Sequence, residues 1–288
     1  LFKERLVMSF DYFRNTTKDQ LMTIPLPAST GSEDIVVNFG ENQNVGYDFS
    51  VAGQVIRNKN WAWTSVINGS HVKDRIKQIS DKLKNTAYQL EEDNPLKLRF
   101  REGGSQYDIY AVRSAGIDPA TGQEIFINKN GEYTFKYDAE DEVVVGNTQP
   151  KLQGTWLNTL RYKGWSLNFV FSYTFGGDTY NKTLWEKVED IDPRYNVDER
   201  AFTDRWKNPG DLSRYLAIKE RRSTTPHNSE RFVERLNELW LSSATLTYEF
   251  QPKFLKRLGF KRLAVGVGVS DIVRFSTVKY ERGTSYPY

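Results

Sequence analysis

The stretch from Val145 to Gly177, VGNTQPKLQGTWLNTLRYKGWSLNFVFSYTFGG, constrains this chain more than any other. It reads as two antiparallel arms, Leu152 to Tyr162 and Trp165 to Phe175, joined by Lys163-Gly164. Side chains on a strand alternate between faces. Trp165, Leu167, Phe169, Phe171, Tyr173 and Phe175 therefore share one face, with Ser166, Asn168, Val170, Ser172 and Thr174 on the other. In the first arm Leu152, Gly154, Trp156, Asn158, Leu160 and Tyr162 alternate against Gln153, Thr155, Leu157, Thr159 and Arg161. Only an antiparallel pair can use so short a connection. Each arm is about twice the length of an ordinary soluble strand of about 5–6 residues. It matches the roughly 9–11 residues of a tilted strand that crosses a bilayer.

The same alternation recurs along the chain. It predicts strands near residues 5–14, 44–56, 61–72, 238–250 and 259–272, besides the central pair. Trp240, Ala244, Leu246 and Tyr248 are expected to share the apolar face of the sixth strand, and Val265, Val267 and Val269 that of the seventh. Between strands lie connections that alternate long and short. Residues 15–42, 73–147 and 177–236 are long, with Gln20 to Ile24 of the first expected to prolong the sheet; 57–60, 163–164 and 251–258 are short. Successive connections of an antiparallel meander fall at opposite ends, so every long loop is expected at one end and every short turn at the other. An outer-membrane barrel is built that way, whereas a soluble sandwich has no reason to sort its loops. Asp11, Asp48, Arg161 and Glu249 lie within strands, all on the polar face, where they avoid the roughly 2–4 kcal/mol of a charge facing mid-membrane lipid. Trp61, Trp63 and Trp165 sit beside the short turns, where an aromatic girdle belongs, and Trp61, Trp63, Trp165, Phe169, Phe171 and Trp240 are expected to face lipid.

The bulk numbers agree once the pattern is known. A mean hydropathy of -0.64 with 27% charged residues resembles a soluble protein, but only every second strand residue of a barrel meets lipid. No apolar run approaches the roughly 18 residues of a transmembrane helix. A net charge of +3 is too weak to point to nucleic acid. The absence of cysteine removes disulfides, thiol catalysis and Cys-ligated metals. The chain opens as LFKERLVMSFDYF, inside a strand pattern and without an initiating Met, as expected of a piece of something longer.

Chemistry-bearing motifs are few. His71 and His227 are the two histidines, expected in solvent-facing loops. No metalloprotease, nucleophile-elbow or phosphate-loop motif occurs, so no catalytic, cofactor or metal residue is assigned. The acidic clusters Glu91-Glu92-Asp93 and Asp138 to Glu142 lack calcium-loop spacing and read as solvated loop. The segment from Val72 to Leu90 has some helical character, and Glu124–Ile127 with Glu132–Tyr137 reads as a small hairpin between turn signals. Trp185, Tyr195, Trp206 and Tyr215 are candidates for ligand or lid contacts from a long outer loop; packing that loop onto itself is the competing reading.

Five segments, in order, resemble the C-terminal half of the barrel in SusC/RagA-type TonB-dependent outer-membrane transporters of Bacteroidetes. They are DYFRNTTKDQLMTIPLPASTG from Asp11, NFGENQNVGYDFSV from Asn38, DPATGQEIF from Asp118, the Val145 to Asn181 hairpin region, and LWLSSATLTYEFQPKFLKRLGFKRLAVGVGVSDI from Leu239. The resemblance implies an all-β fold, in which residues 1–288 are an antiparallel transmembrane segment of a 22-stranded barrel with long extracellular loops. It further implies a plug domain and further strands outside this chain, a SusD-like surface lipoprotein as lid, energy from TonB acting through the plug, and an oligosaccharide or peptide cargo. No enzyme activity and no cofactor follow from it. Two other classes stay open on residues alone: a surface carbohydrate-binding β-protein without a pore, and an enzyme on a β-scaffold.

Overall fold

In the computed structural model, residues 5–25, 34–81, 101–191, 194, 197–218, 228–250 and 259–278 are described. Eleven strands occur among them: β1 (Leu6–Pro25), β2 (Asp34–Arg57), β3 (Trp61–Ile79), β4 (Asp108–Ile117), β5 (Glu124–Ile127), β6 (Tyr133–Thr134), β7 (Glu142–Asn147), β8 (Leu152–Tyr162), β9 (Trp165–Tyr180), β10 (Val233–Glu249) and β11 (Ala264–Ser276). Seven form one antiparallel meander in the order β1-β2-β3-β8-β9-β10-β11, each paired with its neighbours in sequence along the wall. The other four, β6-β5-β4-β7, form a small sheet inside the connection between β3 and β8. That sheet contains the expected hairpin around residues 124–137.

The central hairpin forms as expected, with Tyr162 opposite Trp165 and Leu152 opposite Phe175. Lys163 enters the left-handed region at φ 51° to close it. The Lys163-Gly164 turn lies beside the 57–60 turn and the end of β10: the Lys163 amide donates to the Asn60 carbonyl at 3.1 Å, and the Glu249 amide to the Gly164 carbonyl at 2.8 Å. The long connections leave from the opposite end, so the predicted sorting holds. No described element forms a second layer over the apolar face. Val265, Val267 and Val269 are 57–64% exposed and Trp165 is 47% exposed.

Several strands run further than alternation suggested. β1 and β2 pair from Leu6↔Gly53 to Pro25↔Asp34, so most of the expected loop at 15–42 is a hairpin stem. β3 continues to Ile79, which corrects the helical reading of residues 72–79; the remainder of that stretch, from 82, lies outside the described residues. The reason is pairing: Asp74 and Ile76 are buried where β3 meets the far end of β2 and the chain at 101–107. Asp74 accepts from Asn42 Nδ2, from Ser105 Oγ at 2.9 Å and from the Gln106 amide at 2.7 Å, which docks that returning segment on the strand.

The far part of β10 changes face. A bulge places Ser242 between pairs, so that Leu241 rather than Trp240 opposes Phe171. An extra residue in the β11 segment Asp271-Ile272, with Asp271 at φ 53°, matches it on the other side. Beyond the bulge Leu241, Leu239, Val273 and Phe275 continue the apolar face, while Trp240 pairs with Ser172 and Arg274 on the polar one. The lipid-facing assignment of Trp240 is thereby corrected. Its ring carries the Arg274 guanidinium 4.4 Å from the centroid.

Candidate functional site

Register across the strands converts alternation into two chemically distinct surfaces. On the apolar face Trp61, Tyr162, Trp165 and Tyr248 form one row beside the short turns. Trp61 and Tyr162 have ring centroids 4.3 Å apart, and Trp165 and Tyr248 4.7 Å. A second row, Tyr12, Tyr47 and His71, crosses the far end. From Trp61 to His71 along β3 is about 25 Å of height, at a rise of about 3.3 Å and a tilt of about 40°. That equals the apolar band of an outer-membrane barrel. Between the two rows no outward-paired residue of β1, β2, β3, β8 or β9 is Asp, Glu, Lys or Arg. Phe169 and Phe171 lie near mid-height in this band, with Trp63 one pair above the lower row.

Two polar residues interrupt the band, and each accepts an indole N–H. Asn158, 2% exposed, accepts the Trp63 indole N–H through Oδ1 at 3.1 Å. Ser65 accepts the Trp156 indole N–H at 2.8 Å. An N–H with no water to meet it needs a partner within the protein. Gly154 serves the same face. A Cβ there would lie 1.9 Å from the Asn68 carbonyl and 2.7 Å from the Tyr173 hydroxyl, which crosses over it to donate to Asn68 at 2.8 Å. His71 belongs to this face too. It sits in β3 with its ring 5.1 Å from that of Tyr47, not in a solvent-facing loop as expected; its Nδ1 lies 2.6 Å from the Lys151 carbonyl. His227 lies outside the described residues.

The polar face is laced across strands. Ser50 Oγ donates to Asn68 Oδ1 at 2.7 Å, Asn68 Nδ2 to Thr155 at 3.2 Å, and Thr159 to Asn168 at 2.8 Å. Ser50, Asn68 and Thr155 line a depression of about 550 Å³ together with Asp48, Ser70 and Gln153. Asp11, Asp48 and Arg161 all lie on this face, paired with Asp48, Ser70 and Ser166. Glu249 pairs with Ala264 on the same face and is held by Arg262 at 2.7 Å.

The loop aromatics occupy a different setting from the one anticipated. Trp206 is 8% exposed and Tyr215 3% exposed, so neither offers a ring face to a ligand or lid. Trp206 donates its indole N–H to the Pro119 carbonyl at 2.8 Å. Gly122, at φ +75°, lies against the indole, where a Cβ would sit 2.6 Å from Cδ2. Tyr215 belongs to a core of Leu184, Val188, Ile191, Ala201 and Phe232, on which Trp185 packs. Self-packing of the loop therefore prevails at Trp206 and Tyr215, while Trp185 stays half-buried; Tyr195 lies outside the described residues.

Sequence reasoning missed the polar centre of these loops. Arg205, 5% exposed, donates to the carbonyls of Ala201, Leu216, Val188 and Glu189. Arg231 pairs with Glu124 at 3.0 Å and Glu189 at 2.6 Å. Burial works against its proton, and the attraction of Glu189 and then Glu124 outweighs it, so its pKa lies above the ordinary arginine value. An Arg/Glu-rich stretch resembles solvated surface in sequence; only the loop packing distinguishes the two. The acidic run 138–142 is likewise engaged: Asp138 accepts the Glu140 amide, Asp141 the Lys129 amide, and Glu142 the Tyr137 hydroxyl. Among the described residues no three His, Asp or Glu converge as metal ligands, and no helix is long and apolar enough to cross a membrane. Residues 91–93 lie outside the described residues.

No family model matches the chain. TonB-dependent receptor P39 of Formosa agariphila is 26% identical over 318 residues, which is 96% of this chain and 30% of the relative. TonB-dependent receptor P3 of the same organism is 26% identical over 297 residues, again 96% of this chain and 28% of the relative. Among solved structures, the RagAB peptide transporter superposes with a TM-score of 0.78 at 20% identity, covering 96% of this chain and 30% of that one. The RagAB peptide importer in its open-open state gives 0.75 at 21% identity, covering 97% and 30%. The chain thus spans about a third of the length of the proteins it matches. It is an antiparallel segment of an outer-membrane β-barrel, and its resemblance to SusC/RagA-type TonB-dependent transporters extends along nearly its whole length.

Proposed function

We propose that residues 1–288 are the C-terminal portion of the barrel of a TonB-dependent importer, which takes up oligosaccharides or peptides across the outer membrane. The observation that carries this reading is a wall with an uncharged apolar band about 25 Å tall between two aromatic rows on one face. Its other face is a hydrogen-bonded ladder of Ser, Thr and Asn. Outer-membrane lipid meets the first face, through Trp61, Trp63, Trp165, Phe169 and Phe171 among others, and a plug contributed by the rest of the protein meets the second. TonB acts on the plug, and a SusD-like lipoprotein covers the outer loops. The wall does no covalent chemistry; its part is to hold a water-lined passage in a hydrocarbon layer.

The test is uptake by cells carrying the intact protein, with a labelled short peptide and a labelled oligosaccharide as separate probes. Uptake of one probe that disappears when TonB is deleted supports the proposal. Recovery of the intact protein in the soluble periplasm would end it. A pore-free carbohydrate-binding surface protein was the alternative. Burial of Trp206 and Tyr215 withdraws two of its candidate sugar platforms.

A further inference from the structure

The two long loops that leave the outer end of the wall, residues 101–151 and 181–232, are joined at two places, and the first is also tied to the wall. Nearest the wall, the Asn147 amide donates to Asp178 of β9 at 3.0 Å. Further out, the Ala217 amide donates to the Gly122 carbonyl at 2.9 Å, and Gly210 and the Trp206 indole both donate to the Pro119 carbonyl at 2.8 Å. The second place is buried. Val112 and Ser229 form a parallel bridge, and the Val112 amide donates to the Asn228 carbonyl at 2.9 Å. Arg231 of the second loop holds Glu124 of the first and Glu189 of its own, and Ser229 also donates to Glu124. The three charged side chains are 11%, 0% and 3% exposed.

We propose that these two loops are one mechanical body and that Arg231 is the residue that couples them. The argument is electrostatic. Glu124 and Glu189 bring two negative charges out of water, and Arg231 touches both, with the Arg205 guanidinium a second positive charge beside Glu189. Separating the loops would break the Arg231–Glu124 ion pair and the Ser229–Glu124 hydrogen bond together, and parting the members of a buried charged pair is strongly destabilising. Neither loop can then swing alone over the polar face. Any opening of the outer end moves both together or moves the elements around them. This holds whether or not the wall encloses a transport path.

Amide hydrogen exchange on the full-length protein in lipid vesicles tests it. In the unaltered protein the slowest amides of β4–β7 and of residues 184–216 should open with the same constant, within about threefold. Opening constants that differ by more than about tenfold would overturn the proposal. Arg231→Met, in the second loop, should speed exchange in β4 and β7 of the first, on the order of a hundredfold, with β8 and β9 unchanged. Glu124→Gln, nearly isosteric and in the first loop, should speed exchange across residues 184–216. If each substitution loosens only the loop that carries it, the coupling does not exist. If Arg231→Met fails to assemble, the Glu124→Gln result decides.

Discussion

Introducing one arginine at each of two neighbouring positions of β10 separates the faces of this wall. Ala244 pairs with Phe169 and Val269 on the apolar face, and Thr245 pairs with Asn168 and Gly268 on the polar face. Ala244 stands four residues from Tyr248 of the lower aromatic row, hence about 10 Å into a band about 25 Å tall. Because alanine contributes little packing, the cost of Ala244→Arg is almost entirely that of a guanidinium near mid-membrane, about 2–4 kcal/mol. That corresponds to an equilibrium constant lowered by about thirtyfold to a thousandfold. Thr245→Arg adds the same side chain at the same depth but into the water-facing side, where less than about 1 kcal/mol is expected. The assay is guanidinium-induced unfolding of the full-length protein in phosphatidylcholine vesicles, comparing midpoints at a common slope. An equal cost for the two variants, or a larger one at Thr245, would refute the assignment of faces.

Three further outcomes follow from particular contacts. Asn158→Leu orphans the Trp63 indole N–H in hydrocarbon and should cost about 1–3 kcal/mol in the same assay; adding Trp63→Phe should recover part of it. Trp206→Ala removes a buried ring and the bond to Pro119, and should cost the loops about 3–5 kcal/mol, seen as faster exchange near Gly122 with the wall unaffected. The Asp118 carboxylate is held below its ordinary pKa chiefly by the Thr121 hydroxyl and by the Ala120 amide. Its contribution to the 118–123 turn is therefore complete above the ordinary aspartate value and lost as pH falls through the lowered native one. Protection of the Gly122 amide should accordingly persist at pH 5 (about one unit above that ordinary value) and fall only under stronger acid; a loss at pH 5 would contradict it.

Residue order alone determines the features that depend on a strand's own periodicity. The β8–β9 pair, its turn at Lys163-Gly164, the assignment of Asp11, Asp48, Arg161 and Glu249 to the polar side, and the sorting of connections are all local properties of alternation and spacing. Tertiary structure decides whatever depends on a partner strand or a distant loop. Trp240 changes face because a bulge at Ser242 is set by how β9 and β11 align with β10, and a one-residue slip inverts every side chain beyond it. β1 and β2 outrun the membrane because each supplies the other's backbone hydrogen bonds after the alternation fades. Trp206 and Arg231 look like surface residues in sequence; both are buried because a loop roughly a hundred positions earlier in the chain returns to cover them. Periodicity is written into neighbouring residues, whereas burial of a polar or aromatic side chain depends on which remote groups arrive to satisfy it.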